Sequence, residues 1–478
     1  MKKRLLIIII AAALITAALL VFLPRRQLSF SLPESTREAA KGLDAVLLEM
    51  TFDEESGALY GQEEITLTNR EGIALPYICL RAMANAYLTS DTAPAPIQKN
   101  GGAYISDLTV NGEYAAVSYL DEAKTVLYIH RELAENETVT ISMRLRLSIP
   151  VCASRFGLHD GIYAVSNAFV LPAKYENGAY RQDEYSALGD PFYFECVNFN
   201  AEISLPEELT LACGAEITSE KHEAGMKTYS LYMPAARDLA LAFSDKYSVS
   251  EDAFGNTLIR AYATSGNTAG EYVKNAKKAL EVYSGLFGEY PYSVYSLAYV
   301  GLPDGCDGAD NPALSFISDS SDIEITVARE AARQWWGCAV GSDRINNPWQ
   351  NAALSEFSAL LFTEKVHGKD AMQELYNDTV GASYRLTLPR NATPGSPLNF
   401  FSDLYEYRIV VYNRGAAVFT DLYSAVGDDL TYALSSYYEN ERFRLAGRDT
   451  ITGYLSIAAG YDYAPMMVDY LDTYATVH

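Results

Sequence analysis

In this chain of 478 residues, the stretch from Val327 to Glu356 reads V-A-R-E-A-A-R-Q-W-W-G-C-A-V-G-S-D-R-I-N-N-P-W-Q-N-A-A-L-S-E. Arg329 and Arg333 are four residues apart, so on a helix they project from one face with Glu330 beside them. Apolar residues from Ile323 to Trp335 surround them and predict that much of this helix is buried. Two guanidiniums and a carboxylate on a buried helix are costly unless they pair or meet a ligand. The stretch therefore predicts a functional site.

The run from Arg329 to Gly337, R-E-A-A-R-Q-W-W-G, differs by two histidines from H-E-A-A-H-Q-W-W-G. In this it resembles the zinc-binding helix of the membrane alanyl aminopeptidase family of gluzincin metallopeptidases. The family's third zinc ligand is a glutamate on the following helix, and its spacing leads to Ala352 here. That position lies in W-Q-N-A-A-L, which is similar to the family's W-L-N/D-E-x-L segment. The resemblance implies a thermolysin-like domain and peptide substrates.

Three residues that cannot bind zinc stand at the family's ligand positions: Arg329, Arg333 and Ala352. Arginine has no free lone pair at any accessible pH, and alanine has no donor atom. Glu356, one helical turn after Ala352, could imitate a displaced third ligand, but the two arginines would repel the cation. The five histidines all lie outside the motif, at His130, His159, His222, His367 and His478. We therefore expect no zinc and no other cofactor.

Glu330 stands where the resemblance implies the general base. In an active relative this glutamate takes a proton from a zinc-bound water, whose pKa is about 7 instead of about 15.7 in bulk water. Without zinc we expect no peptidase activity, and Glu330 is then an intrahelical partner of Arg333 at i,i+3. The two arginines have two interpretations. They neutralise carboxylates left unpaired by the loss of the metal, or they bind an anionic group of a ligand bidentately.

Two further segments resemble the substrate site of this family. D-G-A-D-N-P, from Asp307 to Pro312, is similar to the family's G-x-M-E-N loop, whose glutamate binds the free α-amine of the substrate. Asp310 could keep this role, or it could belong to an Asp-Asn-Pro turn. V-Y-N-R-G-A, from Val411 to Ala416, is similar to V-Y-x-K-G-A, whose tyrosine stabilises the oxyanion of the tetrahedral intermediate. Tyr412 has that position, although one tyrosine among 36 can equally be a core residue.

The N-terminus predicts attachment to a membrane. Lys2, Lys3 and Arg4 precede an uninterrupted apolar run from Leu5 to Leu23, and about 19 helical residues span roughly 28 Å, enough to cross the hydrocarbon core. No small-x-small cleavage site ends the run, so we interpret it as an uncleaved signal anchor, with a cleaved signal peptide as the alternative. The basic residues place the N-terminus in the cytoplasm and the bulk of the chain outside the cell membrane. The net charge of −24 argues against nucleic acid as a partner.

The sequence predicts an α+β multidomain protein with an N-terminal transmembrane helix, an antiparallel β-sandwich or saddle domain, and a thermolysin-like, mainly α domain with a small mixed sheet. Strand patterns punctuated by Gly, Pro and Asn-Gly run from Asp44 to Tyr247. Helical periodicity begins again at Ser355 and includes a helix from Arg408 to Ala425. We expect four parts: residues 1–23 as cytoplasmic stub and signal anchor, 24–43 as linker, 44–249 as the β-rich aminopeptidase-like domain, and 250–478 as the peptidase-like domain.

Three functions are compatible with these observations. The first is a membrane-anchored, extracytoplasmic and catalytically inactive aminopeptidase relative that binds a peptide or protein partner through the former active-site cleft. The second is an active metallo-aminopeptidase with a non-standard site. The third is a scaffold for envelope assembly, for which the outer surface matters and the cleft does not. The residues at the zinc-ligand positions favour the first.

Overall fold

The structure is a computed structural model that describes residues 30–388 and 391–473. The predicted signal anchor, the start of the predicted linker and His478 lie outside the described residues. Within residues 30–388 and 391–473, no helix is long and apolar enough to cross a membrane.

The described chain begins with a short helix, α1 (Glu34–Ala40), and the Thr36 hydroxyl of this helix donates to the carbonyl of Pro291, 2.5 Å away. The linker is thereby tied to the second half of the chain.

The first half of the described chain consists mainly of strands. Alternation of polar and apolar residues, as in T-V-T-I-S-M-R-L-R-L-S from Thr138 to Ser148, buries every second side chain. The strands are β1 (Ala45–Asp53), β2 (Ala58–Thr68), β3 (Ile78–Arg81), β4 (Gly102–Val110), β5 (Glu113–Tyr114), β6 (Val117–Tyr119), β7 (Val126–Ile129), β8 (Thr138–Ser148), β9 (Phe156–His159), β10 (Ile162–Val165), β11 (Leu171–Pro172), β12 (Tyr175–Glu176), β13 (Ala179–Tyr180), β14 (Val197–Pro206), β15 (Thr210–Cys213), β16 (Glu216–Glu223), β17 (Met226–Ala236) and β18 (Leu241–Ser244).

These strands form one large sheet, two four-stranded sheets and a two-stranded pair of β12 with β13. The eight-stranded sheet has the order β16-β17-β14-β1-β2-β8-β4-β5. The two four-stranded sheets have the orders β15-β18-β10-β9 and β11-β3-β7-β6. Most neighbouring strands are antiparallel, as the sequence predicts, but β1 pairs with β14 in the parallel direction. The sheet-rich first half is therefore confirmed, with one parallel pairing at the centre of its largest sheet.

The second half begins with a small mixed sheet and continues with helices. Five strands in the order β19-β20-β21-β23-β22 form this sheet: β19 (Ser248–Phe254), β20 (Thr257–Ala263), β21 (Val294–Tyr299), β22 (Gly308–Asn311) and β23 (Leu314–Ile317). A short parallel pair joins β24 (Gly341–Ser342) to β25 (Leu445–Ala446). The helices are α2 (Gly266–Phe287), α3 (Ile323–Ala332), α4 (Trp349–His367), α5 (Lys369–Tyr376), α6 (Leu404–Tyr407), α7 (Gly415–Val426), α8 (Asp428–Glu441), α9 (Thr450–Ala459) and α10 (Ala464–Asp472).

Two buried tryptophans fix the C-terminal end of α3 among its neighbours. The indole N–H of Trp335 donates to the carbonyl of Gly288 at 3.1 Å, directly after α2. The indole N–H of Trp336 donates to the hydroxyl of Ser358 on α4 at 3.0 Å. Because a buried indole needs a hydrogen-bond partner, these two contacts set the position of α3 relative to α2 and α4. The site residues on α3 are therefore held by the core.

Three predicted boundaries differ from the structure. The helix that carries Arg329 ends at Ala332, with Arg333 as its C-cap residue, so Trp335 lies in the turn beyond it. α4 begins at Trp349, directly after Pro348, and not at Ser355; proline is tolerated there because the first N–H groups of a helix have no partner within it. The predicted helix from Arg408 starts as a π-helical segment, Arg408–Arg414, before α7. A π-helical turn is wider than an α-helical one, and it is often found at functional sites.

The two halves of the described chain meet at Gly214, close to the predicted site. A Cβ added at Gly214 would lie 2.6 Å from the backbone carbon of Ala313 and from the carbonyl oxygen of Pro312. Next to it, the Ser296 hydroxyl donates to the carbonyl of Cys213 at 2.6 Å. Only glycine allows this approach of β15 to the turn between β22 and β23. The first half thus supports the turn that follows Asp310.

Gly214→Ala should lower the free energy of unfolding by about 1–3 kcal/mol, the usual cost of inserting a methyl group into a well-packed region. Gly453→Ala is the matched control, because a Cβ at this position in α9 meets no atom within 4 Å. Since alanine is the better helix former, the control should be neutral or stabilising by up to about 1 kcal/mol. Thermal unfolding midpoints measure both effects. Equal midpoints for the two variants would contradict the close contact at Gly214.

Candidate functional site

Three buried charged side chains on α3 form the centre of the candidate site. Asp322 directly precedes α3, and its side chain accepts from the N–H of Ile325 at 3.1 Å and caps the helix. Arg329 and Arg333 follow one turn apart and are 5% and 3% exposed, and Glu330 is 0% exposed. The sequence pattern predicted these three residues together on a buried helix; the structure places Arg329 and Glu330 in α3 and Arg333 at its C-cap. Their charges must be balanced by residues from other elements.

Arg333 contacts three of the other predicted site residues, Asp310, Glu330 and Tyr412. Its Nη1 lies 3.1 Å from Oδ1 of Asp310 and 3.4 Å from Oε2 of Glu330. Its Nη2 donates to the hydroxyl of Tyr412 at 2.8 Å, and the guanidinium lies 5.4 Å from the centre of the Tyr412 ring. The predicted i,i+3 pairing of Glu330 with Arg333 is thus observed. Asp310 and Tyr412 both belong to the site, and both are bound by a guanidinium.

Arg329 pairs with carboxylates on three different segments. Its Nη2 lies 2.7 Å from Oδ2 of Asp307, which precedes β22. Its Nη1 lies 3.6 Å from Oε2 of Glu356 on α4, and its Nε lies 3.6 Å from Oε1 of Glu330. Ala352, one turn before Glu356, is buried at 1% exposure and contributes only a methyl group. Arg329 therefore bridges α3, α4 and the edge of the mixed sheet.

Two arginines that sequence reasoning missed extend the site into the first half of the chain. Arg344 Nη2 lies 2.7 Å from Oδ2 of Asp310, and its Nη1 lies 3.6 Å from Oδ2 of Asp190. The other oxygen of Asp190 pairs with Arg155. Asp190 could have been found from the sequence, because it lies in the segment G-D-P-F-Y-F-E, from Gly189 to Glu195, which resembles a segment of the β domain of the aminopeptidase family. Arg155 had no such signal.

The ion pairs join into one continuous chain of alternating charges, which we call the arginine–carboxylate chain. On the far side of Arg329, Asp307 also faces Arg408, whose Nη2 lies 3.5 Å from Oδ1. The arginines of this chain are Arg155, Arg344, Arg333, Arg329 and Arg408, and its carboxylates are Asp190, Asp310, Glu330, Asp307 and Glu356. With all groups ionised the numbers of positive and negative charges are equal. The cluster is thus internally neutralised.

The pKa values of the acids follow from their neighbours. Burial raises the pKa of Asp310, but Arg344 and Arg333 outweigh it and hold this pKa well below its usual range. Asp307 behaves in the same way, with Arg329 and Arg408 as the cations. Glu330 differs, because burial raises its pKa to about 7 against the opposing effect of the two adjacent arginines. Neither of its oxygens has a hydrogen-bond partner within residues 30–388 and 391–473.

A cleft of about 260 Å³ opens beside the arginine–carboxylate chain. Arg329, Arg333 and Tyr412 line it, together with Arg155 and Arg408. The rest of the wall is mainly apolar and aromatic, with Phe192, Leu302, Pro303, Leu404, Tyr185 and Tyr407 among its residues. Asp310 and Glu330 lie behind this wall and not in it. The cleft therefore presents guanidiniums and a tyrosine hydroxyl to a ligand, beside the arginine-paired carboxylates of Asp190 and Asp307 and the exposed Asp304.

The residues of the cluster do not fit a zinc ion. Zinc needs three or four nitrogen, sulfur or oxygen donors in a tetrahedral arrangement. Each carboxylate of the cluster already faces a guanidinium, and the protonated guanidinium offers no lone pair. In the described part of the chain, no group of three or more His, Cys, Asp or Glu side chains is arranged to hold a metal ion. We therefore derive no catalytic step that uses a metal.

Comparison with known proteins relates this chain to aminopeptidases. No family model matches the sequence. Aminopeptidase N of Lactobacillus delbrueckii subsp. lactis is 21% identical over 399 residues, which are 77% of this chain and 46% of the relative. Human aminopeptidase N is 26% identical over 230 residues, 42% of this chain and 23% of the relative. The chain thus spans about half or less of the length of these curated relatives.

Solved structures show the same fold. The M1 zinc metallopeptidase of Deinococcus radiodurans has a TM-score of 0.67 at 17% identity, over 91% of this chain and 95% of that protein. A mutant of that enzyme, crystallised with a Tyr-Ser-Ala substrate, has a TM-score of 0.65 at 16% identity over the same shares. The fold is therefore that of the M1 metallopeptidases, with a sheet-rich first part and a helical second part. Together with the aminopeptidase N homologues, it identifies the chain as a distant relative of the M1 aminopeptidase family of gluzincins.

Glu330→Gln should change how stability depends on pH. In the folded chain the Glu330 carboxyl has a pKa of about 7, raised from 4.5. Between these values only the folded state holds the proton, so this contribution to stability is complete below about pH 4.5 and is lost as the pH rises through about 7. Each pKa unit corresponds to about 1.4 kcal/mol, so the parent chain should lose a few kcal/mol relative to the Glu330→Gln variant.

Thermal unfolding of both proteins from about pH 5 to pH 8 measures this difference. Glu202→Gln is the matched control, because Glu202 is exposed on the outer face of β14. Its stability curve should run parallel to that of the parent chain. Parallel curves for the parent chain and Glu330→Gln would show that the Glu330 carboxyl does not titrate in this range.

Proposed function

We propose that this chain binds a peptide in the cleft beside α3 and does not hydrolyse it with a zinc-activated water. The observation that supports this proposal most directly is the burial and ion pairing of Arg329 and Arg333. Both guanidiniums are buried and paired with carboxylates, and by sequence they stand at the positions of the zinc-binding histidines of H-E-x-x-H. Ala352 at the third ligand position supplies no donor atom. The chain is in this view a pseudopeptidase.

The two residues retained from the catalytic set are both engaged in other contacts. Glu330 lies between the two arginines, and a Cβ added at Gly308 would come within 2.6 Å of its carboxyl group. The backbone of β22 therefore covers this carboxyl directly. Tyr412 accepts a hydrogen bond from Arg333 through its hydroxyl, and burial raises its pKa to about 12. Both features favour a structural role for these residues over proton transfer.

The cleft itself supports peptide binding. It combines apolar and aromatic walls with a few buried polar groups, which is the usual composition of a ligand site. The Deinococcus M1 mutant that shares this fold was crystallised with a Tyr-Ser-Ala substrate. In an active relative the bound peptide would meet an activated water. In this chain the residues at the same place would hold and orient the peptide, while bulk-like water with a pKa near about 15.7 is a poor nucleophile.

The proposed function includes a location at the cell membrane, and it has two alternatives. We infer that the apolar run from Leu5 to Leu23 anchors the chain in the cell membrane and that the cleft faces the extracytoplasmic side. An active metallo-aminopeptidase with a non-standard site would need donors that displace the arginines from their carboxylates. A scaffold role would leave the cleft without a ligand. The measurements below separate these three functions.

The purified full chain should bind zinc well below one ion per molecule after incubation with zinc chloride and dialysis. It should also fail to release the fluorophore from alanine 7-amido-4-methylcoumarin in a chelator-sensitive manner. Elemental mass spectrometry and fluorescence measure the two quantities, with the Deinococcus M1 enzyme assayed in parallel as a positive control. One zinc ion per chain, together with cleavage that a chelator abolishes, would contradict the pseudopeptidase proposal.

The triple change Arg329→His, Arg333→His and Ala352→Glu should create a zinc site. It removes two positive charges from among four carboxylates and supplies the two imidazoles and one carboxylate that a gluzincin uses. We expect zinc to rise towards one ion per chain and the melting temperature to increase when zinc is added.

The matched control for this variant carries the same three types of change on the outer surface: Arg144→His, Arg146→His and Ala74→Glu. These residues are exposed, so the control should gain neither tightly held zinc nor a zinc-dependent melting temperature. If the cleft variant is folded and gains no more zinc than the control, the proposed correspondence of these three positions with the ligand set is wrong.

A further inference from the structure

We infer that the cleft recognises a carboxylate of its peptide ligand and not a free amine, with the guanidiniums of Arg155, Arg333 and Arg408 as the donors. This inference rests on the proposed function and adds the chemical class of the group that is bound. It reverses the expectation that Asp310 binds the α-amine of a substrate. Three features of the cleft support it: its carboxylates that are shielded from water are paired with arginines, its arginines have N–H groups without a partner among the described residues, and its wall is mainly apolar.

Asp310, behind the wall of the cleft, and Asp307, in the wall, already face two guanidiniums each. Both oxygens of Asp310 face guanidiniums, at 3.1 Å from Arg333 and 2.7 Å from Arg344. Asp307 faces Arg329 at 2.7 Å and Arg408 at 3.5 Å through its two oxygens, and it also accepts from the Thr326 hydroxyl at 3.1 Å. An ammonium group would have to displace a guanidinium and would then lie beside it, so like charges would repel.

Asp190 and Asp304 complete the set of carboxylates that line the cleft. The oxygens of Asp190 are taken by Arg155 and Arg344. Asp304 is exposed to solvent, where water screens its charge and an ion pair contributes little. Among the described carboxylates that line the cleft, those shielded from water are therefore all paired with guanidiniums.

The arginines, in contrast, have donors to spare. A guanidinium carries five N–H groups and no acceptor. Nε of Arg333 and Nη1 of Arg155 are buried without a hydrogen-bond partner in residues 30–388 and 391–473. Arg408 is 33% exposed at the cleft, and its guanidinium lies 6.0 Å from the Tyr412 ring. Because an unmet buried donor is costly, an incoming carboxylate would gain charge-assisted hydrogen bonds that the free protein lacks.

The wall of the cleft indicates what accompanies the carboxylate. At about 260 Å³ the space suits one or two residues of a peptide. Phe192, Leu302 and Leu404 supply apolar surface to the same cleft as the guanidiniums. A C-terminal residue with an apolar or aromatic side chain could bind the guanidiniums through its carboxylate and pack its side chain against the apolar wall. The ligand is thus a peptide C-terminus of this kind.

Two peptides of the same sequence and opposite charge test this inference. The first is N-acetyl-Ala-Ala-Tyr with a free C-terminal carboxylate, and the second is Ala-Ala-Tyr-amide with a free N-terminal amine. Calorimetric titration of the full chain should give at least about tenfold tighter binding for the acetylated acid, the factor expected from charge-assisted hydrogen bonds. Arg408→Gln should weaken binding of the acid about tenfold. Arg408→Lys should restore part of it, since the charge returns without the fork of donors.

Arg144→Gln is the matched control, because Arg144 is an exposed arginine on β8 whose ion pair is with Asp107. It should leave both affinities unchanged. Tighter binding of the amide would overturn the carboxylate inference and leave the proposed function intact. Acid binding that Arg408→Gln and Arg155→Gln do not weaken would overturn the assignment of the donors. Binding of neither peptide would overturn the proposed function, and the inference with it.

Discussion

Buried charge that must be paired is the constraint on which the centre of this molecule depends. Moving an ionised side chain out of water costs several kcal/mol, and only close opposite charges and hydrogen bonds offset this cost. In the arginine–carboxylate chain, positive and negative side chains alternate, so each buried charge lies close to an opposite one. Arg333 faces Asp310 and Glu330, and Arg329 faces Glu330, Asp307 and Glu356. Most members contact two or more opposite charges, whereas the only ion pair of Glu356 within this cluster is with Arg329, so removal of Arg329 would leave that buried carboxylate unpaired there.

The same constraint joins the two halves of the fold. Arg155 and Asp190 belong to the sheet-rich first half, and Arg344 and Asp310 belong to the second. The ion pair between Asp190 and Arg344 therefore crosses between the halves, as does the backbone contact at Gly214. Because a cluster of this kind tolerates little relative movement, the cleft beside it should be largely formed before a ligand arrives. Preorganisation of this type reduces the entropic cost of binding.

Local periodicity was sufficient to predict the elements, and it could not predict their partners. The spacing of Arg329 and Arg333 placed both on one helical face with Glu330, since i,i+4 neighbours follow from helix geometry alone. The order of strands and helices gave the two-part architecture for a similar reason. Arg155 lies almost 190 residues from Arg344 in the sequence, and no local pattern relates residues so far apart. The burial of Asp310 was equally undetermined, because an Asp-Asn-Pro turn is compatible with a solvent-exposed carboxylate.

Charge balance gives a physical reason why a zincin scaffold could keep its acidic residues after losing its metal. Two neutral histidines, one glutamate and a Zn²⁺ ion together carry one positive charge. At the corresponding positions proposed here, Arg329, Arg333 and Ala352 carry two. Glu330 and Asp310 therefore still face a positive centre, and they remain paired without further substitutions. Under the proposed function, the positive charge is carried by side chains that cannot dissociate or be deprotonated instead of by a bound ion, so the neutralisation is permanent. The same proposal implies that there is no open coordination position and no activation of water by a metal.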